Sequence, residues 1–235
     1  MLAALRLLPA PAATTPPVAG YLAWWDGSDA ASITSSGGLV SQWNDKSGNG
    51  YHLSASGADR PSTTTLNGLG ALSFGGSNFM GNASIDTGSI AWRTQFAVIK
   101  LTGSTGTRTI TDAGGSNNGS LQWRIEATTN YQRFVKANVA DIGSGTVGIS
   151  ASAAAQITSQ FGNTTSYAFW IDGAAAGNAS HAVTCTNAGT YRVGANNTSE
   201  YLVATLAELL IYDSQIGTTD RQAIEAYLKT KWSTP

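Results

Sequence analysis

Along most of the chain, apolar and polar positions alternate in short runs separated by Gly-, Ser- and Asn-rich turns. Leu121-Gln122-Trp123-Arg124-Ile125-Glu126 is the clearest case: Leu121, Trp123 and Ile125 fall on one face, Gln122, Arg124 and Glu126 on the other. Residues 131–135 read as its hairpin partner. Short aromatic and β-branched runs bounded by turn residues mark further strands around 21–25, 39–43, 71–74, 96–101, 108–111, 191–193 and 201–212. Tyr167, Phe169 and Ile171 alternate with Ala168 and Trp170, and Asp172-Gly173 then supplies the two positive-φ residues of a type I′ hairpin turn.

Two segments depart from this pattern. Residues 219–232 carry Ala223, Ile224, Tyr227, Leu228 and Trp232 as one helical stripe. Thr219 and Gln222 form a capping box, and Glu225–Lys229 is a pair on the wet side. At the other end, residues 1–20 hold a Leu-rich stretch followed by Pro9, Pro11, Pro16 and Pro17. Proline removes donors and fixes φ, so this segment is predicted to run as an extended arm. It lacks the basic start and unbroken apolar region of a signal peptide. The division is therefore an arm over 1–20 and one domain over 21–235. Many strands and no intervening helices predict an all-β fold: an antiparallel two-sheet jelly-roll sandwich with a short C-terminal helix.

Composition narrows the function classes. Hydrophobic residues make up 42% of the chain, enough for a proper core, while only 11% are charged. Ser, Thr, Asn and 27 Gly residues take the place of the missing charge and make a neutral, hydrogen-bonding surface. A net charge of −1 with scattered Lys and Arg argues against nucleic-acid binding. No apolar run reaches the roughly 20 residues of a membrane helix. Cys185 is the only cysteine, which excludes an intrachain disulfide.

Three stretches in combination resemble concanavalin A-like (laminin G-like) domains. Phe169-Trp170-Ile171-Asp172-Gly173 is similar to that family's hairpin, and Tyr191-Arg192-Val193-Gly194-Ala195-Asn196 to the following strand and turn. Leu206 to Asp213, leading into the terminal helix, is similar to its closing strand and tail. Trp24-Trp25-Asp26 and Gln42-Trp43-Asn44-Asp45-Lys46-Ser47-Gly48-Asn49-Gly50 resemble the opening of a variant found in bacterial surface proteins and phage head and tail proteins. The fold itself hosts lectins, glycosidases, adhesion modules and virion parts.

A glucanase of this family needs paired carboxylates, in a Glu-x-Asp-x-x-Glu strand. Glu126, Glu200, Glu208 and Glu225 show no such spacing, and Glu208, the nearest case, has Leu210 at i+2. Cys185 and His181 lie four apart without an orienting carboxylate, and His52 follows a turn as a boundary residue. Asp45-x-Ser47-x-Asn49-Gly50 matches half of a calcium loop, with Asp45 and Asn49 as candidate ligands. Ser56 stands where the bidentate Glu belongs, so a structural turn is the preferred reading. The N-x-Ser/Thr sequons at Asn82, Asn118, Asn163, Asn178, Asn196 and Asn197 follow from composition.

For ligand recognition the candidates are Trp25, Trp170, and Arg124 with Arg133 near Tyr131 on an outer face. The preferred expectation is a non-enzymatic virion surface protein, a phage head decoration or tail appendage binding host glycans. In it Leu2, Leu5, Leu7 and Leu8 anchor the arm to other virion proteins, with many copies or a homo-oligomer in the assembly. The alternatives are a secreted bacterial lectin-like or adhesion module, and a glycosidase or lyase with an unrecognised site.

Overall fold

The computed structural model describes residues 14–85, 88–90, 92–103, 106–114, 120–136, 140–150, 156–163, 165–180, 185–187, 189–196 and 199–235. Its first strands are β1 (Ala23–Asp26), β2 (Ile33–Ser36), β3 (Leu39–Trp43), β4 (Leu53–Ser54), β5 (Ser62–Leu66) and β6 (Leu69–Gly75). Then come β7 (Met80–Asn82), β8 (Gly88–Ile90), β9 (Trp92–Leu101), β10 (Arg108–Ala113), β11 (Leu121–Ile125), β12 (Tyr131–Lys136) and β13 (Ala140–Gly148). The last are β14 (Gln156–Asn163), β15 (Ser166–Ile171), β16 (Ala174–Ser180), β17 (Cys185–Asn187), β18 (Tyr191–Val193) and β19 (Val203–Tyr212). A single α-helix among the described residues, α1 (Thr218–Trp232), follows. The fold is all-β with one helix at its end. No described helix is long and apolar enough to cross a membrane.

The strands are not divided into two separate sheets. Seventeen of them join one antiparallel hydrogen-bonded network, and β8 and β17 pair apart. β19 is the hub. One edge pairs with β9, while the other pairs with β6 over residues 203–206 and with β1 over 208–211. From β9 the network continues through β14 and β15 to β16. From β6 it passes through β5, β3, β4, β7, β18, β10, β11 and β12 to β13. The two ends, β13 and β16, meet backbone to backbone: a Cβ on Gly177 would lie 2.8 Å from Gly145 Cα. The sheet is thereby nearly closed, which corrects the expected two-sheet jelly roll.

Two cores result. The inner one gathers Trp25, Trp43, Phe74, Trp123, Phe134, Phe169, Tyr191, Leu209 and Ile211 inside the sheet. The outer one packs Trp24, Phe96, Val98, Leu210 and Tyr212 against Ile224, Tyr227, Leu228 and Trp232 of α1. The helix begins one residue earlier than its sequence pattern predicts. Gly217 takes the N-cap position without a side-chain cap hydrogen bond, so the Thr219 capping box does not form. Glu225 is also not on the wet side. It is buried and paired with Arg221, because that flank of the helix lies against β15.

Of the predicted arm, residues 14–20 are described. Pro16 is buried, Val18 packs on the helix-side core, and the Val18 carbonyl accepts the Tyr212 hydroxyl at 2.8 Å. Leu2, Leu5, Leu7 and Leu8 lie outside the described residues.

Candidate functional site

β15 alternates as its sequence predicts, with Tyr167, Phe169 and Ile171 inward and Ser166, Ala168 and Trp170 outward. Trp170 is the only tryptophan with a described side chain that is not buried; Trp24, Trp25, Trp43, Trp123 and Trp232 are all in the cores. It lines a groove of about 370 Å³ together with Thr94, Ser166, Asn178, Gln215 and Thr218. The groove is held by its neighbours rather than by loops alone. The Trp170 carbonyl accepts Gln132 Nε2 from across the core at 3.2 Å. Thr94 Oγ1 donates to the Ser214 carbonyl at 2.8 Å and accepts Ile216 N–H, fixing the loop before α1. The Arg221 guanidinium lies 4.4 Å over the indole and is itself gripped by Glu225. This cation–π contact holds the ring plane. A half-open indole ringed by hydroxyls and amides can stack on an apolar ring face and hydrogen-bond the groups around its rim.

The other sequence candidates do not join it. Trp25 is fully buried, stacked near Tyr191 at 6.2 Å, with its Nε1 donating to the Tyr51 carbonyl. Both faces of β1 are covered, one by the inner core and one by the helix, so Trp25 cannot meet a ligand. Arg124 and Arg133 do sit side by side as cross-strand partners of β11 and β12. Arg124 pairs with Glu200 and Arg133 with Glu126, in a row of alternating charge beside Tyr131. Because β12 turns Gln132 inward towards Trp170, this row lies on the opposite exterior.

Sequence spacing also misses a second carboxylate for Glu208. In β19 a bulge sets Leu206 opposite Ile99 and Glu208 opposite Val98, leaving Ala207 as the extra residue. Ala207 packs in the helix-side core and Glu208 also faces the helix, directly across from Asp26 of β1. Lys231 Nζ bridges the two carboxylates, at 2.8 Å from each. Glu208 further accepts Trp24 Nε1 at 2.8 Å, the Tyr227 hydroxyl at 2.9 Å and Trp232 Nε1 at 2.6 Å. Burial pushes its carboxyl above the ordinary value despite Lys231. Burial also works to raise Asp26, but Lys231, Ser28 and Lys46 outweigh it and hold that carboxyl low. With four donors on a fully buried carboxylate, the cluster fastens α1 to the sheet. Asp26, Lys46 and Lys231 border a neighbouring cavity of about 420 Å³.

The Asp45 turn is explained without an ion. Its two oxygens accept Trp24 N–H, Ser47 N–H, Ser47 Oγ and Tyr51 N–H at 2.6–3.0 Å, and Asn49 Nδ2 donates to the Leu22 carbonyl. Among the described residues no group of three or more His, Cys, Asp or Glu side chains gathers as metal ligands. His181 lies outside the described residues, as does the side chain of Cys185.

No family model and no curated protein matches the chain. Solved structures do share its fold. Trypanosoma rangeli sialidase, in complex with a difluoro-KDN compound, superposes with a TM-score of 0.63 at 14% identity over 92% of this chain and 33% of that chain. An arabinofuranosidase complexed with arabinofuranosyl-α-1,2-xylobiose superposes at 0.62 and 14%, over 92% of this chain and 60% of the other. Domain 4 of AbnA, a GH43 extracellular arabinanase from Geobacillus stearothermophilus, in complex with arabinotriose, superposes at 0.66 and 11% identity, over 89% of this chain and 98% of that chain. The chain thus spans about a third of the sialidase chains and nearly all of the arabinanase domain. These neighbours overturn the expectation of a non-enzymatic virion surface protein: the β fold found here is one used by carbohydrate-active enzymes.

Proposed function

We propose that this chain is a concanavalin A-like, glycan-recognising all-β domain working in glycoside hydrolysis, and that its ligand seats in the Trp170 groove. The observation that carries the reading is the near end-to-end likeness to an arabinanase domain whose structure holds arabinotriose. The groove supplies the matching chemistry. Sugar rings present a flat C–H face to an aromatic ring and a rim of hydroxyls to amides and alcohols. Trp170 offers the ring, and Ser166, Asn178 and Gln215 offer the partners. The Arg221–Glu225 brace pre-organises the indole, so little rotamer freedom is lost on binding.

Calorimetric titration with arabinotriose tests this. Trp170→Ala is expected to weaken binding at least tenfold, about 1.4 kcal/mol, while leaving the melt near that of the wild type. A wild-type chain that binds neither arabinotriose nor sialyllactose would end the glycan reading.

A further inference from the structure

A cavity of about 460 Å³ that shares no residue with the Trp170 groove is lined by His52, Ser54, Ser56, Asp59, Phe79 and Asn82, with Thr190 at its side. Its volume falls in the roughly 300–1,000 Å³ range of small-molecule sites. Its walls are pinned by hydrogen bonds. β4 meets β7 at Ser54 and Gly81. Asn82 Nδ2 donates to the His52 carbonyl at 2.7 Å, while its Oδ1 accepts Ser84 and Ile85 N–H. Phe79 N–H donates to the Asp59 carbonyl at 3.0 Å. A Cβ on Gly81 would come 2.9 Å from Thr190 Cγ2, so the Thr190 side chain packs directly on the β7 backbone as one wall.

Part of the lining is chemically unspent, although the Asn82 amide is used in the bonds above and the Ser54 hydroxyl donates to the Gly81 carbonyl at 3.4 Å. Among the described residues the Asp59 carboxylate has no hydrogen-bond or ion-pair partner. His52 Nδ1 accepts Asp45 N–H at 3.0 Å, which in the neutral ring leaves the hydrogen on Nε2 as a donor. Phe79 contributes an aromatic wall, with the Arg192 guanidinium 5.3 Å over its ring. An acceptor pair on Asp59, a ring N–H, the Ser56 and Thr190 hydroxyls and an aromatic wall are complementary to a vicinal diol on a sugar ring.

We infer that this cavity is a second sugar-binding site, selective for neutral glycans because Asp59 repels an anionic one. The inference rests on the glycan reading of the chain but not on the Trp170 groove. Its test is a combined calorimetric and ¹⁵N-NMR titration of the whole chain with arabinotriose, with sialyllactose as the anionic control. Two sites are expected, with amide shifts clustered at 52–59 and 79–83 for the second. Ala83→Trp, placed on the exposed rim, and Asp59→Asn, whose side chain holds no part of the fold, should each remove that second set. The Trp170 site should survive both, and Trp170→Ala should spare the second site. If Trp170→Ala abolishes all binding while Ala83→Trp changes nothing, the second site is refuted and glycan recognition stands. Equal shifts at 52–59 with sialyllactose would refute the neutral selectivity. No binding at all by the wild type would remove both proposals together.

Discussion

Glu208 is the residue on which most of the helix attachment converges. Four donors from β1 and α1 reach its two oxygens. Glu208→Gln replaces one acceptor oxygen with an amide N–H₂ that must face one of those donors. Breaking a buried ion pair in this way costs about 3–5 kcal/mol. Urea denaturation should show that loss, while arabinotriose affinity at Trp170, on a different strand, should stay within twofold in the folded fraction. A Glu208→Gln protein as stable as the wild type would mean the cluster does not fasten the helix.

At the scale of elements, the β15–β16 hairpin turns on Asp172 and Gly173, with φ of 51° and 83°. Asp172 also accepts Ile157 N–H and Gln156 Nε2, tying the turn to β14. A Cβ on Gly173 would meet only Glu225 Oε2 at 3.6 Å, so Gly173→Ala is not a steric clash. Its cost is the left-handed backbone, about 1 kcal/mol, read as a shifted urea midpoint at constant slope. The helix matters more. Removing residues 218–235 would expose Trp24, Phe96, Val98, Leu210 and Tyr212 as one apolar patch. The truncated chain should aggregate, as light scattering would detect, where the full chain stays dispersed.

Acid response belongs to the whole molecule, because the charged clusters sit on different elements. Hydrogen bonding from Lys46 holds Asp29 below its ordinary value, and the Arg133 pair does the same for Glu126; Asp26 is also held low. A carboxylate lowered in the folded state stabilises above its unfolded pKa, and that contribution is lost as pH falls through the folded value. Glu208, raised by burial, has the opposite slope: its contribution is present at low pH and lost as pH rises through its folded value. Three groups against one predict a melting temperature that falls as pH drops below about 4. A melt that rises steadily from pH 6 to pH 3 would show that Glu208 dominates instead.

Local pattern was enough for the strand-rich class, the terminal helix and the Asp172-Gly173 turn, since alternation, helical spacing and positive-φ preference act within a few residues. It also placed Trp170 outward on β15 and set Arg124 beside Arg133. It missed β13, whose glycines look like loop. In the fold the Tyr167 ring sits 1.9 Å from where a Gly143 Cβ would be, and Gly145 meets Gly177, so those glycines are what lets the sheet nearly close. It misjudged Trp25 because exposure depends on what covers each face, and the side chains that enclose Trp25, Tyr191 among them, come from strands far along the chain. The Asp26–Glu208–Lys231 cluster and the His52–Asp59–Asn82 cavity draw on segments far apart in the chain, brought together by strand register and one bulge. Periodicity decides which side chains share a face; only the tertiary pairing of those faces decides which of them meet water, each other or a ligand.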